Sequence, residues 1–305
     1  MIQLPKDQIK EAHILQSTVR YADLLPTKSR KKDTAVVFLA GQKSPLERFF
    51  PFSQYFAQFY HTYGYEIPGM GVQKRAPNSP ATIKTMSQEL AVFIQEIVQE
   101  PNVIVVAGSV GFWFTTEALL SEQKLRNKVK KIVSLVGVLG QSTFGFSAIK
   151  RKLILRFCKL ITTPRAQKIV QTLLEHDRFL NFYVKWLIRR RHLSHLKETE
   201  QQEFEEFERF LLKTSDWKIH FSTVAQYLTT DISSDEKLNI PLLSLYTSHD
   251  EYFPFENQKR NFEKTYSDIT WIPIPLTRHA PLVVKDFHDY QEIIPESKIF
   301  EFLDK

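Results

Sequence analysis

The stretch that predicts the fold is NVIVVAGSVG, residues 102–111, in which an apolar run leads into small residues around one serine. The β-branched run 103–106 favours a strand, and a helical pattern follows the stretch directly. A serine on such a strand-to-helix turn has its hydroxyl held out from the sheet. Strand and helix nearly collide there, so small residues are needed two positions before and after Ser109. Ala107 and Gly111 meet that need.

The same motif also admits a second interpretation, a phosphate-binding loop, because a glycine-rich turn that opens a helix can cradle an anion. The stretch lacks the lysine of a P-loop and the three-glycine fingerprint of dinucleotide-binding proteins. In a nucleophile turn, the backbone N–H of Val110 at the helix N-terminus would face a developing oxyanion.

The pattern along the chain predicts an α/β protein. Over the first 140 residues, β-rich runs alternate with helical patterns, which indicates a mostly parallel central sheet with flanking helices. Helical periodicity alone occupies residues 141–234, and β-rich runs return after it. We therefore predict a core formed by residues 1–140 and 235–305, with an all-helical insertion at 141–234.

The predicted elements have approximate bounds. Strands are expected at 18–23, 35–39, 63–67, 102–106, 131–138, 241–246 and 270–274. Helices are expected at 45–60, 82–99, 149–160, 166–174, 179–190, 203–212, 255–266 and 288–303.

Two later strands end in loops that carry the partners a serine nucleophile requires. Strand 241–246 leads to Asp250, and strand 270–274 leads to His279. The carboxyl ends of parallel strands meet at one edge of a sheet, so Ser109, Asp250 and His279 are expected to lie together. A histidine can take the serine proton, and a carboxylate can fix its tautomer. Glu251, beside Asp250, is the rival for the acidic role.

Taken together, these motifs resemble the α/β-hydrolase fold over nearly the whole chain, specifically its branch of esterases and carbon–carbon bond hydrolases with a helical cap. FLAGQ, residues 38–42, resembles the first oxyanion loop, and EIPGMG, residues 66–71, resembles the turn after the next strand. The resemblance implies that the backbone N–H groups of Gln42 and Val110 form the oxyanion hole. It also implies Ser109 as nucleophile, His279 as general base and then acid, and Asp250 as the orienting carboxylate.

Three positions depart from the family pattern. Ala40-Gly41 stands where the family usually has His-Gly, which changes how the loop is anchored but leaves its backbone donors. Ala107 replaces the first glycine of the elbow, and Glu66 replaces the usual aspartate in a role that we expect to be structural. None of these changes removes a catalytic group.

The predicted function is hydrolysis of a carboxylic ester through an acyl-enzyme. A serine at the elbow argues against haloalkane dehalogenases and epoxide hydrolases, which resemble this fold but use aspartate there. The same triad also hydrolyses carbon–carbon bonds, thioesters and lactones, and a non-catalytic binding protein on this scaffold is the alternative of another class. The substrate is expected to be a small ester with an apolar acyl or aryl group, and a Ser-His-Asp triad needs no cofactor or metal.

Composition sets the wider limits. The chain has 305 residues, 43% of them hydrophobic, which excludes disorder as its main state. A single cysteine, Cys158, rules out an internal disulfide, so folding needs no oxidising compartment. With neither an apolar leader nor an apolar run of membrane-spanning length, we expect a cytoplasmic protein.

The net charge of +7 is concentrated in one segment. Residues 150–200 hold 13 Lys or Arg against 4 Asp or Glu, so the basic character belongs to the helical insertion. A solvated helix face, attraction of anionic substrates and weak contact with a membrane surface are the readings left open. Nucleic-acid binding is not expected, because no recognised module accompanies the charge.

Two further patterns in the insertion are given structural interpretations. His192 and His195 lie one helical turn apart, but no carboxylate or cysteine at ligand spacing joins them, so no metal site is predicted. The aromatic series that includes Phe179, Phe182 and Trp186 is expected to pack inside the insertion.

Overall fold

The fold is seen in a computed structural model that describes residues 4–28, 33–76, 79–190, 193, 197–232, 234–276, 279 and 294–304. These residues contain an eight-stranded sheet. The strands are β1 (Ile9–Ile14), β2 (Ser17–Leu24), β3 (Thr34–Leu39), β4 (His61–Tyr65), β5 (Asn102–Gly108), β6 (Val129–Leu135), β7 (Leu242–Tyr246) and β8 (Ile269–Pro273).

The strand order confirms a mostly parallel sheet. It runs β1-β2-β4-β3-β5-β6-β7-β8, and only β2 opposes its neighbours. Strand β5, which leads into Ser109, pairs in parallel with β3 and β6, so it lies at the centre of the sheet. The apolar run 103–106 is accordingly covered on both faces.

Helices cover both faces of the sheet and fill the long connection between β6 and β7. Before that connection come α1 (Leu46–Phe56), α2 (Ile83–Glu96), α3 (Val110–Ser121) and α4 (Gln123–Lys128). Within it lie α5 (Ala148–Ile161), α6 (Pro164–Glu175), α7 (Asp177–Arg190), α8 (Glu198–Thr214) and α9 (Trp217–Tyr227). After it come α10 (Phe255–Thr265) and α11 (Glu296–Asp304).

Several elements differ from the sequence-based expectation, among them α4, which was not predicted. Strand β1 was not predicted, because half of its residues are polar and only Ile14 is buried. Strand β6 ends at Leu135 rather than at Val138, because Val136 has a φ of 43° and turns the chain out of the sheet. Helix α9 was not singled out within the helical insertion. The predicted last helix, 288–303, begins outside the described residues.

The helical segment between β6 and β7 has an apolar cluster of its own, which includes Leu180, Val184 and Phe204. The expectation that Phe182 and Trp186 pack inside was wrong, because both side chains are exposed. Cys158 is buried, as expected of a packing residue. None of the helices in the described part of the chain has the length and apolar character required to cross a membrane.

Candidate active site

Ser109 sits in a strained turn between β5 and α3. Its φ of 50° and ψ of −124° are unusual for a residue with a side chain, and the backbone energy this requires must be offset locally. Two hydrogen bonds, one to the end of β6 and one to the loop that follows it, provide the compensation. The Ser109 N–H donates to the Leu135 carbonyl at 2.9 Å, and the Ser109 carbonyl accepts from the Val138 N–H at 3.3 Å. The nucleophile turn is thereby pinned to the neighbouring strand.

The loop after β3 approaches this turn so closely that two glycines are required. A Cβ atom on Gly41 would lie 2.7 Å from the Cβ of Ser109, and one on Gly111 would lie 2.4 Å from the Ala40 carbonyl oxygen. Neither contact is sterically possible, so glycine is what allows the loop to reach the serine. The small residue predicted at position 111 is therefore required, because the loop after β3 leaves no room there for a side chain.

His279 lies between Ser109 and Asp250. Its Nε2 atom is 2.9 Å from the Ser109 hydroxyl oxygen, and its Nδ1 atom is 2.7 Å from an Asp250 carboxylate oxygen. A carboxylate only accepts hydrogen bonds, so Nδ1 carries the proton and Nε2 is free to accept from the serine hydroxyl. The three residues predicted from separate loops are thus brought into one hydrogen-bonded chain.

Asp250 is held on its other side by the backbone. Its second carboxylate oxygen accepts from the N–H groups of Tyr252 at 2.8 Å and Phe253 at 3.0 Å, and its side chain is fully buried. The rings of Tyr252 and Phe253 meet the His279 imidazole edge-on, with centroids 5.7 Å and 4.8 Å away. The Thr247 hydroxyl also donates to the Leu276 carbonyl, which ties the Asp and His loops together. Glu251, the rival acid, is exposed.

Two backbone N–H groups stand beside the serine without an acceptor. Val110 occupies the first position of α3, and Gln42 follows Gly41 in the loop that touches Ser109. Among the described residues, neither N–H donates a hydrogen bond. Val110 is buried and Gln42 is half-buried, and N–H groups without a partner are uncommon in such places, so this pair is available to a ligand oxygen.

The side chain of Gln42 makes contacts that the sequence did not indicate. Its amide donates to the Thr223 hydroxyl and to the His220 carbonyl, both at 2.9 Å and both on α9. The loop is also fixed at Ser44, whose N–H donates to the Met70 carbonyl at 2.9 Å. Where the family pattern has a histidine before the glycine, this chain anchors the loop through Gln42 to the helical insertion.

A shallow crevice lies between the Gln42 loop and α9. Its lining comprises Gln42, Lys43, Gly69, Met70, Ser215, Asp216 and His220. Burial, followed by the positive charge of Lys43, holds the pKa of His220 well below its ordinary value. Lys43 places its ammonium 4.0 Å from the centre of the Trp217 ring. The α9 side of the crevice therefore presents the neutral imidazole of His220, and Lys43 and Trp217 form a cation–π pair beside it.

Glu66 plays the structural role expected of it. Its buried carboxylate accepts from the backbone N–H groups of Leu46 at 2.9 Å and Gln73 at 2.7 Å, and from Arg20 at 3.1 Å. These bonds hold together the segments that follow β3 and β4, away from the reacting atoms.

No metal ligand set is found within the described residues, where no group of three or more His, Cys, Asp or Glu side chains is suited to an ion. His192 and His195 lie outside the described residues, as do the neighbours of His279 at positions 278 and 280.

The sheet order, the serine turn and the positions of the two following loops define the α/β-hydrolase fold. Solved structures similar to this chain have that fold. An epoxide hydrolase from Bacillus megaterium matches with a TM-score of 0.68 at 14% identity, covering 97% of this chain and 100% of the other. A bromoperoxidase from Bacillus anthracis matches with a TM-score of 0.67 at 15% identity, covering 97% and 100%.

A thermophilic esterase from Thermogutta terrifontis matches with a TM-score of 0.62 at 14% identity, covering 97% of this chain and 98% of the esterase. No protein-family model matches the sequence, and no curated protein sequence is detectably similar to it. The chain therefore has the α/β-hydrolase fold, and its chemistry must be argued from its own residues.

Proposed function

We propose that this protein is a serine esterase that cleaves a carboxylic ester through a covalent acyl-enzyme. The observation that carries the proposal is the hydrogen-bonded chain from Ser109 through His279 to Asp250, with distances of 2.9 Å and 2.7 Å. Epoxide hydrolases of this fold are expected to carry an aspartate at the elbow, so the serine favours acyl transfer. The triad contacts also weigh against a non-catalytic scaffold, which needs none of them.

The proposed reaction has two halves. The Ser109 oxygen attacks the ester carbonyl while His279 Nε2 takes its proton, and the carbonyl oxygen becomes an oxyanion held by the Gln42 and Val110 N–H groups. The imidazolium, stabilised by Asp250, gives the proton to the departing alkoxide and leaves an acyl-serine. Water then attacks the acyl carbon while His279 takes a proton from the water. His279 passes that proton to the Ser109 oxygen as the acyl–oxygen bond breaks, and the carboxylic acid is released.

A fluorophosphonate probe tests this mechanism directly. We expect covalent labelling of Ser109, located by peptide mapping, and none in Ser109→Ala. We also expect turnover of a p-nitrophenyl ester to fall by several orders of magnitude in Ser109→Ala, on the scale seen when a triad member is removed. Ser142→Ala, a serine outside the triad, is the matched control. Absence of labelling in a folded protein would reject the enzyme proposal.

We further propose that residues 141–234 act as a cap and that the acyl or aryl group of the substrate is apolar. An aromatic cluster beside His279 supports this preference. Phe144 and Phe146, at the start of the insertion, contact Phe253 and Tyr252 at ring-centroid distances of 4.8 Å and 6.3 Å. Aromatic walls favour apolar groups by removing their surface from water.

A chain-length series tests the preference. We expect kcat/KM to rise from acetate to medium-length p-nitrophenyl esters, and Phe146→Ala to lower kcat/KM for the longer esters while sparing acetate. The control is Phe157→Ala, an exposed ring on α5 that contacts Phe221. A flat series in the unmodified protein would reject the apolar substrate but leave the triad proposal intact.

A further inference from the structure

Three helices of the insertion turn large apolar side chains towards solvent. Eight such side chains on α5, α6 and α7 are more than one-third exposed. They are Ile149, Leu153, Phe157, Leu160, Ile169, Leu173, Phe182 and Trp186. A helix of a water-soluble protein ordinarily directs its apolar stripe to the core, and exposed apolar surface on this scale marks an interaction site.

Helix α5 shows the arrangement most clearly. Ile149, Leu153, Phe157 and Leu160 follow one another at spacings of four, four and three residues, which aligns them on one side of the helix. Their side chains are between 51% and 75% exposed. Cys158, on the opposite side, is buried. The helix therefore turns the side that carries Cys158 towards the protein and presents its apolar stripe to solvent.

Cations border that stripe. Lys152, Arg156 and Lys159 lie along one edge of it, α5 contains no acidic residue, and none of the three has an ion-pair partner among the described residues. Across residues 148–190 there are eleven Lys or Arg and only two Asp or Glu. The acidic residues of the insertion are gathered instead on α8. The apolar stripes and the positive charge thus occupy the same three helices.

We propose that the eight exposed apolar side chains and the cations of residues 148–190, together named the basic–apolar face, dock on a membrane surface rich in anionic lipid. An amphipathic helix with cations beside its apolar stripe lies in the plane of the lipid–water boundary. Its apolar side chains reach the acyl region, and its cations meet the headgroup phosphates. The aliphatic stems of lysine and arginine allow both contacts from one helix.

Charge decides between lipid and the other possible occupants. A second copy of this chain, packed face to face, would bring two strongly positive surfaces together. A protein partner is disfavoured because interface cores are depleted in lysine, whereas α5 intersperses three lysines among its exposed apolar residues. An anionic bilayer satisfies the charge and the apolar area at once.

Docking is independent of ester cleavage, so Ser109→Ala is expected to bind as the unmodified protein does. Flotation with vesicles provides the measurement, using phosphatidylcholine alone or with about 30% phosphatidylserine. We expect binding to the mixed vesicles at low salt, weak binding to phosphatidylcholine alone, and loss of binding at about 0.5 M salt, where charges are screened over a few ångströms.

Paired variants separate the two contributions. Lys152→Gln/Arg156→Gln/Lys159→Gln is expected to weaken binding on the order of a hundredfold, about fivefold for each cation removed. The matched control, Lys124→Gln/Lys264→Gln/Lys298→Gln, removes equal charge from exposed positions outside the insertion. Leu153→Gln/Leu160→Gln is expected to lose about tenfold or more. Leu15→Gln/Leu25→Gln, exposed leucines near β1 and β2, should bind normally.

Four results would overturn the proposal. The first is no binding to the mixed vesicles at low salt, with the fold verified by circular dichroism. The second is equal loss in the charge variant and its control. The third is a dimer in light scattering that Leu153→Gln/Leu160→Gln dissociates, which would assign the face to a second copy. The fourth is binding of soluble polyglutamate as tight as that of vesicles, which would assign it to an acidic protein.

Discussion

Asp250 and Glu251 are adjacent carboxylates with different surroundings. The Asp250 side chain is buried against His279 and two backbone N–H groups, whereas Glu251 is exposed. At the scale of single residues, this difference supports Asp250 rather than Glu251 in the proposed acidic role. It also explains why the sequence left the two in competition, since adjacent positions in a loop differ only in the direction that the folded backbone gives them.

The first prediction follows from that assignment. Asp250→Asn places an amide donor opposite the His279 Nδ1–H, which drives the imidazole to the wrong tautomer. We expect kcat for a p-nitrophenyl ester to fall on the order of 10⁴-fold with the fold retained. Glu251→Gln is the matched control and should keep near-normal kcat. Equal effects of the two substitutions would contradict the assignment.

The second prediction concerns Gln42, whose side chain we propose positions its own backbone N–H. Gln42→Leu removes the hydrogen bonds to Thr223 and His220, so we expect kcat to fall about tenfold with KM little changed. Thr223→Val removes the hydroxyl that accepts one of these two hydrogen bonds from Gln42. If the contact acts through one geometry, the double variant should lose less than the product of the single losses. Independent effects on kcat would refute the coupling.

At the scale of elements, the crossing of β5 and α3 with the loop after β3 sets the shape of the site. Two glycines in the same motif have different steric surroundings. A Cβ atom on Gly111 would meet the Ala40 carbonyl oxygen at 2.4 Å, whereas one on Gly108 has no atom nearer than 3.7 Å. The sequence predicts a small residue at position 111 and makes no such prediction for position 108, and these distances agree with that difference.

The third prediction compares the two glycines. Gly111→Ala is expected to lower the free energy of unfolding by about 1–3 kcal/mol, because backbone must move to admit the methyl group. It should also lower kcat, since the displaced loop carries Gln42. Gly108→Ala, with ordinary contact distances, should change stability by about 0.5 kcal/mol or less. Urea unfolding of both variants measures the difference, and similar losses would contradict the geometry.

The fourth prediction concerns α9 and pH. Burial and the Lys43 charge lower the pKa of His220 in the folded protein, whereas the unfolded chain protonates it near its ordinary value of about 6.5. The contribution of the neutral imidazole is complete above that pH and is lost as the pH falls below it, because the unfolded state then binds the extra proton. We expect stability to decline between about pH 7 and pH 5, at a slope of up to about 1.4 kcal/mol per pH unit for one proton.

His220→Gln should flatten that decline. Urea unfolding at several pH values provides the measurement, with the exposed His249→Gln as the control. An unchanged slope in His220→Gln would show that this imidazole is not the group responsible. The result bears on the active site as well, because α9 also holds the Gln42 side chain.

At the scale of the whole molecule, charge and apolar surface are divided between regions. The positive charge lies on α5–α7 and the acidic residues of the insertion lie on α8, while the core carries the Ser-His-Asp chain. A protein so divided can place its reacting groups near a surface without using them to bind it. Vesicle binding by the Ser109→Ala variant tests this separation.

The amino-acid sequence by itself predicted the mostly parallel sheet, apart from β1, and the three residues that we propose react. Short β-branched runs alternating with amphipathic runs leave few topologies other than a parallel sheet. Each of these residues follows the carboxyl end of a strand, and the strand ends can be located from the sequence pattern. Strand β1 escaped detection because an edge strand with polar residues lacks the alternation that marks a buried one.

Only the tertiary structure decided which way the helices of the insertion face and what holds the oxyanion loop. Periodicity shows that α5 and α7 have an apolar stripe, but it does not show whether the stripe faces the core or solvent. For that reason the prediction that Phe182 and Trp186 are buried was wrong. The contact between Gln42 and Thr223 joins residues 181 positions apart. No local pattern encodes such a pair, because it exists only after the sheet and the insertion have packed together.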